Sequence, residues 1–287
     1  MKKLILISII SILLFSCNDN KKVNDGSSIV EDSGKYKDLY GFWVGEFVAD
    51  VYKEGSTISN NKLNIAIKSI IGKKVIAQSI VAGNKRPLTG EIDTTNNRLT
   101  FVLSEPGDDK YDGKFEFELI DNTLTGTWTA YDQSLTVTKR TFKLERKEFV
   151  YNGDVMLPEN QYLDQYSGQD STITDTIDNE TETYVEKYYR AASESVYKIN
   201  SSTHKFTEEE LKNLKKLDLE ILRNTIFARH GYTFKKRAYR QFFDYVDWYV
   251  PVTDNVDTEL TAIEKDNIKL LVRFEKYAAD NYDTFSR

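Results

Sequence analysis

Cysteine occurs once in this 287-residue chain, at Cys17, histidine and methionine twice each, and proline four times. A single thiol forms no intramolecular disulfide, so stability must come from hydrophobic cores. Two histidines and one cysteine cannot supply the usual metal-ligand sets, and neither a metal nor another cofactor is expected. No apolar run reaches the roughly 20 residues that a membrane-spanning helix needs. Lys and Arg number 39 against 45 acidic residues, a formal charge of −6. That balance argues against nucleic acid as a partner, because phosphate binding depends on concentrated cations. There is no nucleophile elbow and no phosphate-binding glycine loop. Asp108, Asp109 and Asp112 cluster between Gly107 and Gly113. They lack the alternating carboxylates and terminal Glu of a calcium loop, and read as a solvated hairpin turn.

What the chain does contain begins at its N-terminus. Met1-Lys2-Lys3 is a short basic start, and Leu4 to Phe15 is apolar apart from Ser8 and Ser11. Leu14-Phe15-Ser16-Cys17 follows, and then a polar stretch from Asn18 to Lys22. A basic segment, a short apolar segment and a small residue before the cut describe a secretory signal. With cysteine directly after that residue, the stretch resembles the lipobox of bacterial lipoproteins. The resemblance implies a signal peptide over 1–16, diacylation of Cys17, and a protein anchored by lipid in the bacterial cell envelope, facing periplasm or cell surface. Residues 17–35 are polar and patternless and read as a flexible tether.

From 36 to 151 the hydrophobic pattern has a period of two. The expected strands are Trp43–Tyr52, Leu63–Ile70, Lys74–Ala82, Leu88–Asp93, Leu99–Leu103, Lys114–Ile120, Thr123–Ala130 and Thr138–Lys147. Turn residues such as Ile71-Gly72, Gly83-Asn84 and Asp121-Asn122 separate them. Phe115, Phe117 and Leu119 against Lys114, Glu116 and Glu118 give one buried and one solvated face. Sequential antiparallel strands of this kind predict an up-and-down β-barrel, which has no exposed edge. Gly41-Phe42-Trp43 at the opening strand is similar to the start of lipocalin-like and avidin-like barrels. That resemblance implies that Trp43 plugs one end and packs on a basic residue of the last strand, Arg146 first and Arg140 second. It also implies a place for a small apolar ligand, against which stands a barrel filled by its own side chains.

Residues 152–195 read as an acidic linker, with a short helix over 182–196. Between Asn152 and Thr203 the acidic residues are opposed only by Lys187, Arg190 and Lys198. The part from 196 to 279 is helical, with a short tail at 280–287. Phe206-Thr207-Glu208-Glu209-Glu210-Leu211 is a helix start, with Thr207 and Glu210 forming a capping box and Phe206 stapling to Leu211. The helix is predicted to run to about His230 and to stop at Gly231, which tolerates a left-handed conformation. A short helix near 236–245 and a last one from Thr261, capped by Glu264, to about Ala279 complete an α+β chain.

Leu222-Arg223-Asn224-Thr225-Ile226-Phe227-Ala228-Arg229-His230-Gly231-Tyr232 resembles the signature of the YARHG domain, a small module of bacterial envelope proteins, with Phe227 at the position of its usual tyrosine. Further matches run in order through Ser201-Ser202, Phe242-Phe243, Trp248-Tyr249, Pro251, Ile263-Glu264 and Asn267. Arg223, Asn224, Gly231 and Glu264 are expected to be structural. His230 with Glu264 suits either a buried polar network or acid–base chemistry. Arg229, His230, Trp248 and Tyr249 are the candidates for contact with a ligand or partner, and no catalytic residue is assigned.

Three functions follow as expectations. The first is a non-enzymatic, lipid-anchored binding module for cell wall (peptidoglycan) or another envelope protein. The second is a carrier of a small apolar ligand in the barrel. The third is an envelope hydrolase using His230.

Overall fold

The computed structural model describes residues 34–280 except 97, 178 and 179. The signal segment, Cys17 and most of the tether lie outside the described residues, as does the end of the chain from 281. Eight strands follow one another: β1 (Gly41–Tyr52), β2 (Asn61–Ile71), β3 (Lys74–Val81), β4 (Asn84–Thr95), β5 (Arg98–Ser104), β6 (Gly113–Ile120), β7 (Thr123–Ala130) and β8 (Val137–Lys147). Each is hydrogen-bonded to the next and β8 returns to β1, which closes an antiparallel barrel as the sequence pattern predicts. Alternation drives it: in β6, Phe115 and Phe117 are buried while Glu116 between them is exposed.

Leu63, Ile65, Val75, Leu88, Phe101, Leu103, Phe115, Leu124 and Leu144 fill the interior, all at most 1% exposed. Filling by side chains is what an eight-stranded barrel has room for. A 3₁₀ turn, Lys37–Leu39, closes the end where β1 begins. There Trp43, 2% exposed, donates its indole N–H to the Leu39 carbonyl at 2.8 Å. Trp43 and Arg146 are register partners across β1 and β8. The exposed Arg146 also donates to the Tyr40 carbonyl at 3.2 Å. The last-strand cation that lies over an interior ring is Arg140, 5.2 Å from the centroid of Phe47.

Where an acidic linker with a helix over 182–196 was expected, the chain forms a β-hairpin. Strands β9 (Leu163–Ile177) and β10 (Glu180–Ala191) pair antiparallel. Thr181, Thr183, Tyr184, Val185, Tyr188 and Tyr189 explain the correction, since β-branched and aromatic side chains suit a pleated surface better than a helix. The base of this ribbon is fixed by Arg190, which binds Asp164 at 3.2 Å, Glu220 at 3.0 Å and Asp280 at 2.6 Å.

The helices are α1 (Ser195–Lys198), α2 (Glu208–Leu211), α3 (Lys216–Arg229), α4 (Arg237–Phe243) and α5 (Ala262–Glu275). The single helix expected from Thr207 to His230 is thus two. Thr207 and Glu210 make the capping box, but the chain breaks after Leu211 and restarts where Asp218 accepts the Lys215 amide at 3.1 Å. The break lets both Leu211 and Leu214 enter one core with Phe206, Leu222 and Leu271. Helix α3 ends as expected. Gly231 has φ +70°, its amide donates to Ala228 and that of Tyr232 to Phe227, which is a Schellman closure.

Barrel and helices are docked on each other along β2 and the β3–β4 turn. The ammonium of Lys62 donates to the carbonyls of Val246 at 2.6 Å and Tyr249 at 3.0 Å, and Asn64 donates to Pro251 at 2.8 Å. Lys85 pairs with Asp254 at 2.9 Å. Gly83, with φ +79°, lies so close to the Lys235 backbone that a Cβ would stand 2.8 Å from its Cα.

Candidate functional site

Helix α3 delivers Arg229 and His230 into the interior of the helical part. His230 is 5% exposed and its Nε2 lies 2.8 Å from Glu264 Oε2, which is wholly buried. The other carboxylate oxygen accepts the Tyr151 hydroxyl at 3.1 Å, and the Tyr151 ring stacks on His230 at 4.2 Å. Glu264 also receives the Thr261 amide at 2.9 Å and so caps α5 while holding His230. Burial works against its charge, yet hydrogen bonds from His230, Ser202 and the Thr261 amide hold its carboxyl down at about 2.

Arg229 is 3% exposed and points to a different set of partners. It donates to the Val155 carbonyl at 2.9 Å and to the hydroxyls of Ser201 and Ser202 at 3.1 and 3.0 Å. Among the described residues no carboxylate pairs directly with its guanidinium, and burial lowers its pKa to about 10. Asn267 closes the network by donating to the Ser201 and His204 carbonyls and accepting the Phe206 amide. Arg223 stands apart, in a two-pronged pair with Glu275 at 2.6 and 3.2 Å. Asn224 donates to the Glu220 carbonyl one turn back.

The four residues singled out for contact are therefore not on the surface together. Tyr249 is 1% exposed and donates to the Tyr232 carbonyl at 2.7 Å, while the half-buried Trp248 donates to Met156 at 2.8 Å. Glu264, Arg229 and Asn267 all find their partners within the fold, which is how a structural network is built, although the nearby buried Thr233 hydroxyl has none. Residues 194–276 match the YARHG domain. The matched span covers α1 to α5 and leaves the barrel outside it. No curated protein and no solved structure matches the chain. The YARHG domain thus encloses its own signature residues, and open chemistry has to be sought elsewhere.

It is found at the barrel end opposite Trp43. A cavity of about 760 Å³ opens there, walled by Phe47, Phe115 and Trp128 with Arg140, Glu105 and Arg86. Arg140 donates to the Phe47 carbonyl at 2.9 Å and the Ser59 carbonyl at 3.3 Å. Burial lowers its pKa, and among the described residues no carboxylate pairs with it. Glu105 accepts Ser79 Oγ at 2.9 Å, the Gly113 amide at 2.8 Å and the Trp128 indole at 3.1 Å. Burial nevertheless pushes its carboxyl up. Arg86 is held among Asp108, Asp109 and Asp112, at 3.5, 2.5 and 3.4 Å, so this loop is organised around a guanidinium. Among the described residues no group of three or more His, Cys, Asp or Glu is arranged to hold a metal, and no helix is long and apolar enough to cross a membrane.

Sequence reasoning missed Tyr151, Ser79 and Glu105. Tyr151 stands at the very end of the period-two region, 79 positions before His230, and nothing local links the two. Glu105 is one carboxylate among many beside a turn, and its burial arises only when the barrel closes.

Proposed function

We propose that the protein is a non-catalytic binding protein of the bacterial envelope, carried on a lipid at Cys17, whose barrel mouth holds a small ligand with an anionic and an apolar part. The observation that carries this reading is Arg140, a partly desolvated cation with which no carboxylate among the described residues pairs, at a cavity walled by Phe47, Phe115 and Trp128. A cavity of that size suits a small molecule, and a few convergent polar groups among aromatic walls fix orientation. The lipobox resemblance supports the envelope location, and the YARHG match agrees with it. Burial of His230 and Glu264 weighs against a hydrolase built on them, since a substrate would have to displace Tyr151 to reach either.

The test is a titration of the full chain in detergent with decanoate, with decanol as the neutral counterpart, read by the fluorescence of Trp128. Decanoate is expected to bind and decanol to bind at least tenfold more weakly. Arg140→Gln should remove that preference. Equal binding of the two compounds, no binding of either, or an unchanged preference in Arg140→Gln would refute the reading.

A further inference from the structure

A cavity of about 860 Å³ lies where three elements meet: the base of the β9–β10 ribbon, helix α4, and the loop before β2. It adjoins the barrel mouth, with Asn61 on the wall of both, and lies apart from the buried His230 network. Four tyrosines line it, the buried Tyr162 and three exposed ones. Tyr166 is 43% exposed, Tyr189 44% and Tyr245 60%, so their rings face solvent rather than a core. Between them the walls carry amide groups, including those of Asn160 and Gln161. The guanidinium of Arg237 lies 4.6 Å from the Tyr166 ring centroid, which orders both side chains.

The charge of this cleft is nearly cancelled. Arg240 and Asp244 face each other one helical turn apart, with Nε 3.9 Å from Oδ2, and the exposed Arg237 is left as the one cation of α4 without a carboxylate partner among the described residues. Its walls carry amides and charged groups as well as aromatic rings. A lipid would need continuous apolar walls, and a polyanion would need several free cations; neither condition is met. Exposed Tyr rings offer large, rigid, amphipathic faces at low entropic cost, and side-chain amides and a guanidinium offer paired donors and acceptors.

From this arrangement we infer that the cleft binds a saccharide of neutral or weakly anionic character, with its ring faces on Tyr166, Tyr189 and Tyr245 and its hydroxyl or N-acetyl groups on the amides and Arg237. A sugar ring has an apolar C–H face and a rim of hydroxyls, and the cleft presents the complement of both. The ribbon then has a role: Arg190, fixed by Asp164, Glu220 and Asp280, holds Tyr189 and Tyr166 opposite α4. This inference does not rest on the barrel-mouth reading.

The experiment is calorimetric titration of the full chain with two probes, the tetramer of N-acetylglucosamine and maltotetraose. At least one is expected to bind. Tyr245→Ala and the double change Tyr166→Ala with Tyr189→Ala should each weaken that binding tenfold or more, and Tyr245→Phe should retain it, because the ring face is kept. All these side chains are exposed, so the melting temperature should stay within a degree or two of the parent. Arg140→Gln, at the barrel mouth, should leave saccharide binding unchanged. Binding of neither probe overturns the inference, as does binding that survives the tyrosine changes. Loss in Arg140→Gln also overturns it, by moving the saccharide to the barrel mouth.

Discussion

The ammonium of Lys62, on barrel strand β2, stands 2.6 Å from the carbonyl oxygen of Val246, just beyond helix α4, and 5.3 Å from the ring centroid of Tyr249. This one side chain is inserted from the barrel into the helical part and meets two of its carbonyls. Burial lowers its pKa to about 8, opposed by the charges of Asp244 and Asp247. Burial in turn pushes the Asp244 carboxyl up to about 6. The docking surface therefore carries two charges held at the cost of desolvation.

A pH dependence follows. Lys62 titrates near 8 when folded and near 10.5 when unfolded, so between these values the unfolded chain binds more protons. Stability then rises with pH, by at most about 1.4 kcal/mol per unit from this group. Above pH 10 buried tyrosines such as Tyr162, pushed up to about 12, act the other way. Denaturant melts between pH 8 and 9.5 should show the rise, and Lys62→Met should flatten it. An equal rise in Lys62→Met would show that another group is responsible.

The same docking predicts how the protein behaves when cut. Cleavage between residues 152 and 162 should leave barrel and helical fragments associated on gel filtration, since Lys62, Asn64 and Lys85 hold them without the connecting chain. Separation under non-denaturing conditions would show that these contacts are too weak to join the two parts.

Within the YARHG domain, His230→Ala takes one hydrogen bond from a buried carboxylate and Glu264→Ala strands a buried ring nitrogen. Each should destabilise by roughly 1–3 kcal/mol or more, as expected when a buried group loses its hydrogen-bond partner. The double change should cost less than the sum, with a coupling of about 0.5–3 kcal/mol in thermal or denaturant melts. Glu264 is held at about 2 against a usual 4.5, so its contribution is complete above pH 4.5 and is lost as pH falls toward 2. Glu264→Gln should make the acid limb of stability shallower. Additive single effects would mean that the 2.8 Å contact contributes nothing.

Tyr151 separates two roles in one side chain. Tyr151→Phe removes the hydroxyl that reaches Glu264 and should cost about 1 kcal/mol. Tyr151→Ala also removes the ring stacked on His230 and should make the histidine ring accessible to diethylpyrocarbonate. Unchanged labelling in Tyr151→Ala would show that other groups cover His230.

Cys17→Ser tests the anchor. It should abolish palmitate labelling and shift the protein from the membrane to the soluble fraction, because stable attachment takes more than one acyl chain. A variant that still labels and sediments with membranes would remove the lipobox reading.

What the sequence by itself determined is everything set by local pattern. The period-two alternation placed all eight barrel strands within a few residues, because which face of a strand is buried is written in every second side chain. The capping boxes at Thr207 and Thr261 and the Schellman glycine Gly231 were legible for the same reason: their partners lie three or four residues away. The ribbon was misread because acidic and polar composition hid its strand-forming Thr, Val and Tyr residues. The break after Leu211 was invisible because it depends on where Leu214 and Asp218 find partners across the fold. Tertiary structure alone decided which polar residues are enclosed and which are open. Tyr151 closing over His230, Lys62 entering the helical part and Arg140 left without a carboxylate at the barrel mouth are all contacts between residues far apart in sequence. No periodicity encodes such pairs; they exist only once the cores of barrel and helices have brought distant backbone segments together and excluded water between them.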